Sequence, residues 1–382
     1  MKILIDTTPL LKSLTGVGYV TYMYAKQLRR YPDNYLYYYA WFCSDKLKEK
    51  PLDHFESAVK LIKRLIPRPY LLTHAIKTLI FNAILFIKKP DLFFQPNYIS
   101  FPMLKKVPTV TMVHDLSHIH FAQFHPPERV EYFNKELKRS LDASDVIVAI
   151  SEYTKKDLIK QGLAKEEKIE VVYNGVAEHF KPLAKHTEAK KVLKKYGVLA
   201  KEYFLFVGTL EPRKNLQLLL EAYVEYHKHS TDPTPLLLAG GIGWRSEYFD
   251  AILQEALRLP EVKRLGYVSD EELAILYAGA KVFIFPSLYE GFGLPPLEAM
   301  ASGTAVIASN SSSIPEVVGE AGILIDPYNK EELLEAMNRL DSDEALRKEY
   351  EKRGIERAKI FSWDKSVAKL HAIFENVYAK NI

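Results

Sequence analysis

Short apolar runs alternate with longer stretches of helical periodicity along this chain, and that alternation is typical of parallel α/β units. Strands are predicted at residues 2–7, 91–96, 108–115, 145–151, 169–175, 203–209, 235–241, 262–268, 282–287, 304–309 and 321–326. Most of these runs show too little alternation of apolar and polar residues for a sheet that has one solvent-exposed face. The pattern therefore predicts parallel sheets that helices cover on both sides.

The pattern is interrupted near residues 180–200, where a charged stretch lacks a strand, and residues 361–379 have the pattern of an amphipathic helix. A chain of 382 residues is also too long for one compact core. We therefore expect two doubly wound α/β domains that face each other across a cleft. Ligands of such sheets bind beyond the carboxyl ends of the strands.

The composition is that of a soluble globular protein, with 48% apolar and 26% charged residues. A net charge of +4 does not demand a nucleic-acid partner, and we expect none. The single cysteine, Cys43, excludes an intrachain disulfide and favours a reducing compartment. Asp6 interrupts the apolar start, so we expect no secretory signal and a cytoplasmic protein.

Candidate chemistry is concentrated in SLYEGFGLPPLEAMASG (287–303), which follows a predicted strand. Glycines and prolines separate Glu290 from Glu298, and Pro295 or Pro296 suits a first helical position. The first turn of that helix would offer amide groups to a phosphate. The two carboxylates could accept hydrogen bonds from sugar or ribose hydroxyls. Alternatively, Glu290 is a solvated loop residue and Glu298 compensates the helix dipole.

Two further segments could contact phosphate. LEPRKN places Arg213 and Lys214 after a strand, where paired cations would neutralise a diphosphate, although such a pair can also be surface charge. Gly16 and Gly18 precede a helix after the first strand without forming a dinucleotide-binding fingerprint. The glycine pair alone does not identify a phosphate-binding loop.

A histidine ends the strand PTVTMVHD. His114 could bind a reacting sugar or its acceptor, or the local backbone could hold it. The spacing of His114 with His118, His120 and His125 matches no metal-ligand set, so no metal site is predicted. Asp341-Ser342-Asp343 is interpreted as a helix cap.

The segment 287–327 resembles the donor-site signature of retaining glycosyltransferases of family 4 (group 1), which have the GT-B fold. GTLEPRKN, VHDL, ISEYTKKDL, YNGV and FSW follow in the family's order, so the resemblance covers nearly the whole chain. It implies an acceptor-binding Rossmann-like domain at 1–185 plus 362–382. A donor-binding domain would span 195–361, with the C-terminal helix crossing back to the first domain.

The resemblance also implies roles for individual residues. Glu290 would contact the donor sugar, Glu298 the ribose, and Arg213 with Lys214 the leaving diphosphate. Thr209 stands where many relatives have arginine, so Arg213 is expected to supply that cation. The remaining implied contacts are amides of Phe292, Gly293 and Leu294 to sugar and diphosphate, Gly16 and Gly18 on the phosphate side, His114 near the anomeric carbon, and backbone near Tyr267 and Val268 to the base.

By this resemblance, the protein would transfer a hexose with retention of configuration and without a metal or other cofactor. The start of the chain and TLEPRKN are similar to bacterial mannosyltransferases of O-antigen assembly. They suggest GDP-mannose as donor and a glycan or lipid-linked oligosaccharide as acceptor. UDP-glucose or UDP-N-acetylglucosamine is the alternative donor, and a non-catalytic sugar-nucleotide-binding scaffold is the alternative function.

Residues 59–89 combine lysines and arginines with leucine, isoleucine and phenylalanine and contain no acidic residue. This pattern favours basic amphipathic helices, which could dock peripherally on the inner face of the cytoplasmic membrane. A helix packed in the core with solvated lysines would have the same pattern. The sequence leaves both interpretations open, and it leaves the oligomeric state open as well.

Overall fold

The computed structural model describes residues 1–11, 16–48, 69–183, 187–241, 243 and 247–381. They form two compact units. The first comprises Met1–Leu116, Pro127–Asn174 and Trp363–Ile382, and the second comprises Ser117–Pro126 and Gly175–Ser362.

Each unit contains one sheet. The strands of the first are β1 (Lys2–Asp6), β2 (Asn34–Tyr38), β3 (Cys43–Ser44), β4 (Leu92–Gln95), β5 (Thr109–Val113), β6 (Val146–Ala149) and β7 (Ile169–Val171). Those of the second are β8 (Phe204–Val207), β9 (Leu236–Ala239), β10 (Val262–Gly266), β11 (Val282–Phe285), β12 (Ala305–Ser309) and β13 (Ile323–Ile325).

Helices connect the strands. In chain order they are α1 (Val17–Leu28), α2 (Pro69–Lys88), α3 (Ser117–His120), α4 (Pro127–Ala143), α5 (Glu152–Lys160), α6 (Thr187–Lys195), α7 (Leu216–His229), α8 (Glu247–Ala256), α9 (Asp270–Gly279), α10 (Leu294–Ala301), α11 (Ile314–Val318), α12 (Lys330–Ser342), α13 (Glu344–Ala358) and α14 (Trp363–Ala379). Short 3₁₀ turns occur at Thr8–Leu11, Ala122–Phe124, Glu166–Lys168, Pro212–Lys214 and Gly319–Ala321.

The strand order is β3-β2-β1-β4-β5-β6-β7 in the first sheet and β10-β9-β8-β11-β12-β13 in the second. All pairs are parallel except β2 with β3. In each sheet the order reverses direction, between β1 and β4 and between β8 and β11, and such switch points are where doubly wound sheets bind ligands. The predicted pair of doubly wound α/β domains is confirmed.

The strands are buried because helices cover both faces of each sheet. Every residue of β4, β9, β11 and β12 is buried. Helix α14 also belongs to the first unit: Trp363 packs edge-on against Tyr24, and Phe374 lies against Phe94 of β4. The amphipathic pattern at 361–379 therefore correctly predicted a helix.

The two units differ from the predicted domain ranges in three places. Residues Ser117–Pro126 belong to the second unit, and this unit begins at Gly175 and ends at Ser362. Aromatic packing accounts for the first two differences. Phe121 lies 5.7 Å from Tyr289, and Phe180 lies 5.7 Å from Tyr277, measured between ring centroids.

One strand pair was not predicted. β2 carries the sequence NYLYY, which pairs in parallel with β1, and β3 then adds an antiparallel edge. Tyrosines with a single leucine gave no continuous aliphatic run, so the pattern did not indicate a strand. Among the described residues, no helix is both long and apolar enough to cross a membrane.

Candidate active site

The segment after β8 meets the segment after β11 in the second unit. β8 and β11 pair in parallel, so their carboxyl ends lie side by side at the switch point of the sheet. The amide of Leu288 donates to the carbonyl of Arg213 over 2.9 Å, which joins the two loops directly. Residues that are 76 apart in sequence, such as Lys214 and Glu290, are therefore neighbours.

Glu290 lies at the centre of this junction. Its Oε1 atom accepts hydrogen bonds from Lys214 Nζ at 2.6 Å and Ser287 Oγ at 2.6 Å. Arg213 Nη1 lies 3.3 Å from the same oxygen, donates to the carbonyl of Tyr289 at 2.7 Å, and its Nη2 pairs with Glu211. The structure thus brings together three of the residues that the sequence singled out.

The electrostatics of the cluster keep Glu290 charged. Burial alone would raise the pKa of its carboxyl, but the adjacent Lys214 and Arg213 outweigh that effect and lower it. The side chains of Glu290, Lys214 and Arg213 are only 12%, 13% and 15% exposed. Glu290 and Glu211 balance the charges of the two cations in this poorly solvated place, so an anionic ligand would compete with these carboxylates for Lys214 and Arg213.

A run of serines holds the loop that carries Glu290, and sequence analysis missed it. Ser312 Oγ accepts from the amide of Glu290 at 2.8 Å, and Ser313 Oγ lies 2.8 Å from the carbonyls of Glu290 and Phe292. Ser311 and Ser309 donate to the carbonyls of Leu288 and Ser287. The signal was SNSSS, which begins with the last residue of β12, since hydroxyl side chains at and beyond the end of a strand often bond to backbone groups.

Helix α10 begins one residue before the expected prolines, at Leu294. Gly293 precedes it with φ of 116°, and a Cβ there would lie 2.8 Å from Ile314 Cδ1, so glycine is required. Pro295 and Pro296 have no amide hydrogen. In the described chain, the amides of Gly293 and Leu294 have no acceptor, which leaves them available to a ligand at the positive end of the helix. Phe292 itself is buried and packs against Phe361.

Glu298 lies on α10 in a setting quite different from that of Glu290. Burial raises the pKa of its carboxyl to about 8, the hydroxyl of Tyr277 lowers it only in part, and Asp270 raises it further. No cation compensates the charge in the described residues. A ligand that donated hydroxyl hydrogens to this carboxylate would stabilise its charged form.

Two other predicted donor-site segments lie at the same edge of the sheet. Thr209 follows β8 and is exposed. Gly208 touches Gly240 after β9, where a Cβ on Gly240 would lie 2.0 Å from the Gly208 carbonyl oxygen. After β10, Tyr267 is exposed and Val268 is buried.

His114 follows β5 in the first unit and is buried. Its Nε2 lies 2.6 Å from the carbonyl of Pro96, which can only accept, so Nε2 carries the proton. Burial lowers the pKa of His114, and the ring is therefore neutral at pH 7. The local backbone does hold this histidine, as one of the two interpretations expected, and Nδ1 remains an acceptor.

Gly16 and Gly18 lie at the start of α1. Gly16 precedes the helix with φ of 48° and Gly18 is buried within its first turn. Residues 12–15 of this predicted phosphate loop lie outside the described residues.

The described histidines do not form a metal site. No group of three or more histidine, cysteine or acidic side chains in the described ranges is arranged to hold an ion. His125 Nε2 lies 3.1 Å from Ser117 Oγ, and His120 packs against Tyr289. Asp343 caps α13 through the amide of Leu346, which confirms the helix-cap prediction for that residue, whereas Asp341 lies within α12 and pairs with Lys281.

Comparison with known proteins identifies the class. Residues 14–180 match the family "Glycosyltransferase Family 4", and residues 188–357 match "Glycosyl transferases group 1". The chain is 32% identical to an O-antigen chain mannosyltransferase B of Escherichia coli, over 95% of this chain and 97% of that protein. It is 44% identical to an MMP alpha-(1->4)-mannosyltransferase of Mycolicibacterium hassiacum over 30% of this chain and 28% of the relative.

Solved structures agree on the fold. A sucrose-phosphate synthase from Thermosynechococcus elongatus superposes with a TM-score of 0.74 at 19% identity, covering 99% of both chains. WaaG, a glycosyltransferase involved in lipopolysaccharide biosynthesis, gives 0.68 at 14% identity, covering 97% of this chain and 98% of the other. The protein belongs to the group 1 glycosyltransferases of family 4 and has the GT-B fold.

Proposed function

We propose that this glycosyltransferase moves a mannosyl residue from GDP-mannose to a glycan or lipid-linked oligosaccharide, with retention of configuration and without a divalent metal. The observation that carries the proposal is the contact of Lys214 and Arg213 with Glu290 at the switch point of the second sheet. The cations suit a diphosphate, and a carboxylate that accepts hydrogen bonds from hydroxyl groups suits a sugar, so the cluster fits a sugar diphosphate.

The two cations would bind the diphosphate as it leaves. Lys214 and Arg213 share one carboxylate oxygen in the unliganded protein, and the diphosphate would offer them several more. The amides of Gly293 and Leu294 would add donors at the helix start. Together these groups supply the positive charge that a divalent metal provides in other transferases.

The surroundings of Glu290 argue against a covalent intermediate on this carboxylate. Its Oε1 is hydrogen-bonded to Lys214 and Ser287, and its charge is stabilised, so it is a weak nucleophile. We assign it instead to the hydroxyls of the donor sugar. The acceptor hydroxyl would then attack the anomeric carbon from the same face that the diphosphate leaves, which retains the configuration. The bond to the diphosphate breaks, and a leaving phosphate oxygen takes the acceptor's proton.

Mannose is proposed from the relatives. The E. coli relative that aligns along nearly the whole chain is a mannosyltransferase of an O-antigen chain, and the M. hassiacum relative is also a mannosyltransferase. Glu298 would hold the ribose, and the backbone near Tyr267 and Val268 the base. UDP-glucose and UDP-N-acetylglucosamine are the competing donors. The roles of Gly16, Gly18 and His114 stay predictions.

The test is product formation from each sugar nucleotide, followed by nuclear magnetic resonance of the new anomeric carbon. GDP-mannose, UDP-glucose and UDP-N-acetylglucosamine would each be incubated with EDTA and with excess methyl mannoside as a simple acceptor. An α-mannoside formed only from GDP-mannose would support the proposal. A β-linked product would overturn retention of configuration, and loss of activity with EDTA would overturn metal independence. Release of nucleotide from a UDP-sugar alone would overturn GDP-mannose as the donor.

A further inference from the structure

In its described part, helix α2 packs on the first sheet with the face that carries Phe81 and Leu85. Phe81 and Leu85 are buried against Tyr38 and Phe93, together with Val107 from the loop before β5. Positions 81 and 85 are one turn apart, so they define a single buried stripe along the described part of the helix.

Over residues 76–88, whose side chains are described, the opposite face of α2 is apolar and exposed. Leu79, Phe86 and Ile87 are 68%, 76% and 71% exposed, and Ile76 is also exposed. At 100° per residue these four side chains span an arc of roughly 100°, centred opposite Phe81 and Leu85. Exposed leucine, isoleucine and phenylalanine on one stripe are unusual for a helix that faces only water.

A loop extends this apolar face. Asn82 donates from Nδ2 to the carbonyl of Pro102 at 2.8 Å, and its Oδ1 accepts from the amide of Leu104 at 2.7 Å. Both hydrogen bonds fix the loop of residues 101–107 beside the helix. Leu104 is 89% exposed at its tip.

The charged residues within these two segments have one sign. Residues 76–89 and 101–107 contain lysines and no acidic residue. Lys88, Lys89 and Lys105 are exposed, whereas Lys106 pairs with Asp145 at 3.2 Å. Residues 59–68 of the basic segment that the sequence singled out lie outside the described residues, and the side chains of 69–75 are likewise not described.

We propose that this apolar–lysine surface, formed by Leu79, Phe86, Ile87, Leu104, Lys89 and Lys105, docks the protein on an anionic lipid bilayer. The apolar side chains would enter the boundary between headgroups and acyl chains, and the lysines would contact anionic headgroups. A second copy of the chain fits less well, because pairing identical surfaces would bring the lysines of both copies together. This inference goes beyond sugar transfer and would stand if the donor proposal failed.

Binding to vesicles tests the proposal directly, without donor or acceptor. The full-length protein is sedimented with vesicles of phosphatidylglycerol and phosphatidylcholine, and separately with phosphatidylcholine alone. We expect binding to the anionic vesicles that weakens as salt is added. No sedimentation with anionic vesicles would overturn the proposal, and so would equal binding to both vesicle types.

Matched variants distinguish binding through this surface from non-specific binding of exposed apolar or basic residues. Lys89→Gln with Lys105→Gln should lower the partition coefficient about thirtyfold, at about fivefold per lysine. Phe86→Ser with Leu104→Ser should lower it at least tenfold. The controls are Leu199→Ser with Tyr328→Ser, two exposed apolar residues of the second unit, and Lys190→Gln with Lys191→Gln.

The surface variants should lose binding to anionic vesicles, and the control variants should keep it. Binding that the surface variants retain would refute the assignment. A concentration-dependent dimer that Leu104→Ser abolishes, combined with no vesicle binding, would show that the surface is an interface between copies instead.

Discussion

Replacing Glu290 by glutamine tests the site because it removes a charge and almost no volume. The carboxylate is 12% exposed, and its Oε1 lies 2.6 Å from Lys214 Nζ and 3.3 Å from Arg213 Nη1. In Glu290→Gln both cations stay in place, but Lys214 loses its ion-pair partner, whereas Arg213 keeps Glu211. The variant should therefore change stability and catalysis in different ways.

The loss of stability follows from the uncompensated charges. Breaking a buried ion pair by removing one partner costs about 3–5 kcal/mol, and the partial exposure of the group places Glu290→Gln at the low end, about 3 kcal/mol. A diphosphate bound by Lys214 and Arg213 would replace the missing anion. GDP at 100 times its dissociation constant adds about 2.7 kcal/mol to either protein, so the liganded variant should be about as stable as the unliganded wild type.

The loss of turnover follows from the contact to the sugar. A charged hydrogen bond that strengthens in the transition state is worth on the order of a hundredfold to a thousandfold in kcat. We expect that loss in Glu290→Gln, with the affinity for GDP within about threefold of the wild type, since Glu290 is assigned to the sugar and not to the diphosphate.

The assays are steady-state transfer, calorimetric titration with GDP, and chemical denaturation with and without GDP. Glu211→Gln is the matched control, because the Glu211 carboxylate also pairs with Arg213, at 2.7 Å, whereas its hydrogen bond with the amide of Lys214 comes from the backbone carbonyl, which the substitution leaves unchanged. It should keep kcat within a few fold. The reasoning is refuted if Glu290→Gln keeps wild-type kcat, or if its affinity for GDP falls more than tenfold.

Two further predictions concern the same unit. Because burial raises the pKa of Glu298 to about 8 and ribose hydroxyls would favour its charged form, nucleotide affinity should rise between pH 6.5 and 8.5, with proton release seen in calorimetry. A flat pH profile in wild type, or an unchanged slope in Glu298→Gln, would contradict this assignment. Gly240→Ala should destabilise the protein by about 3 kcal/mol in urea denaturation, because its Cβ would lie 2.0 Å from the Gly208 oxygen. Gly241→Ala, with nothing within 4 Å of the added atom, should change the free energy of unfolding little. Equal destabilisation by the two substitutions would refute the steric argument.

The apolar pattern predicted all six strands of the second sheet, because five of them are nearly continuous aliphatic or aromatic runs, and β10 is the exception with Lys263 and Arg264. It missed β2, where tyrosines replace that run, and β3, which has only two residues. Continuous apolar runs are dictated by burial on both faces, whereas an edge strand depends on neighbours that are distant in sequence.

For the site, the sequence identified residues but not their contacts. Arg213, Lys214 and Glu290 were singled out separately, and only the adjacency of β8 and β11 shows that they share one oxygen. The different electrostatics of Glu290 and Glu298 depend on which neighbours fold around each carboxylate, which local sequence does not specify. The backbone contacts of Ser311–Ser313 likewise emerge only once the two loops are in place.

The most direct measurement of the central claim is calorimetric titration of the wild type and Lys214→Ala with GDP and UDP, in EDTA. The account predicts that the wild type binds GDP more tightly than UDP without metal, and that Lys214→Ala weakens binding at least tenfold. Failure of either diphosphate to bind, or equal affinity in Lys214→Ala, would contradict the assignment of this site to a nucleotide sugar.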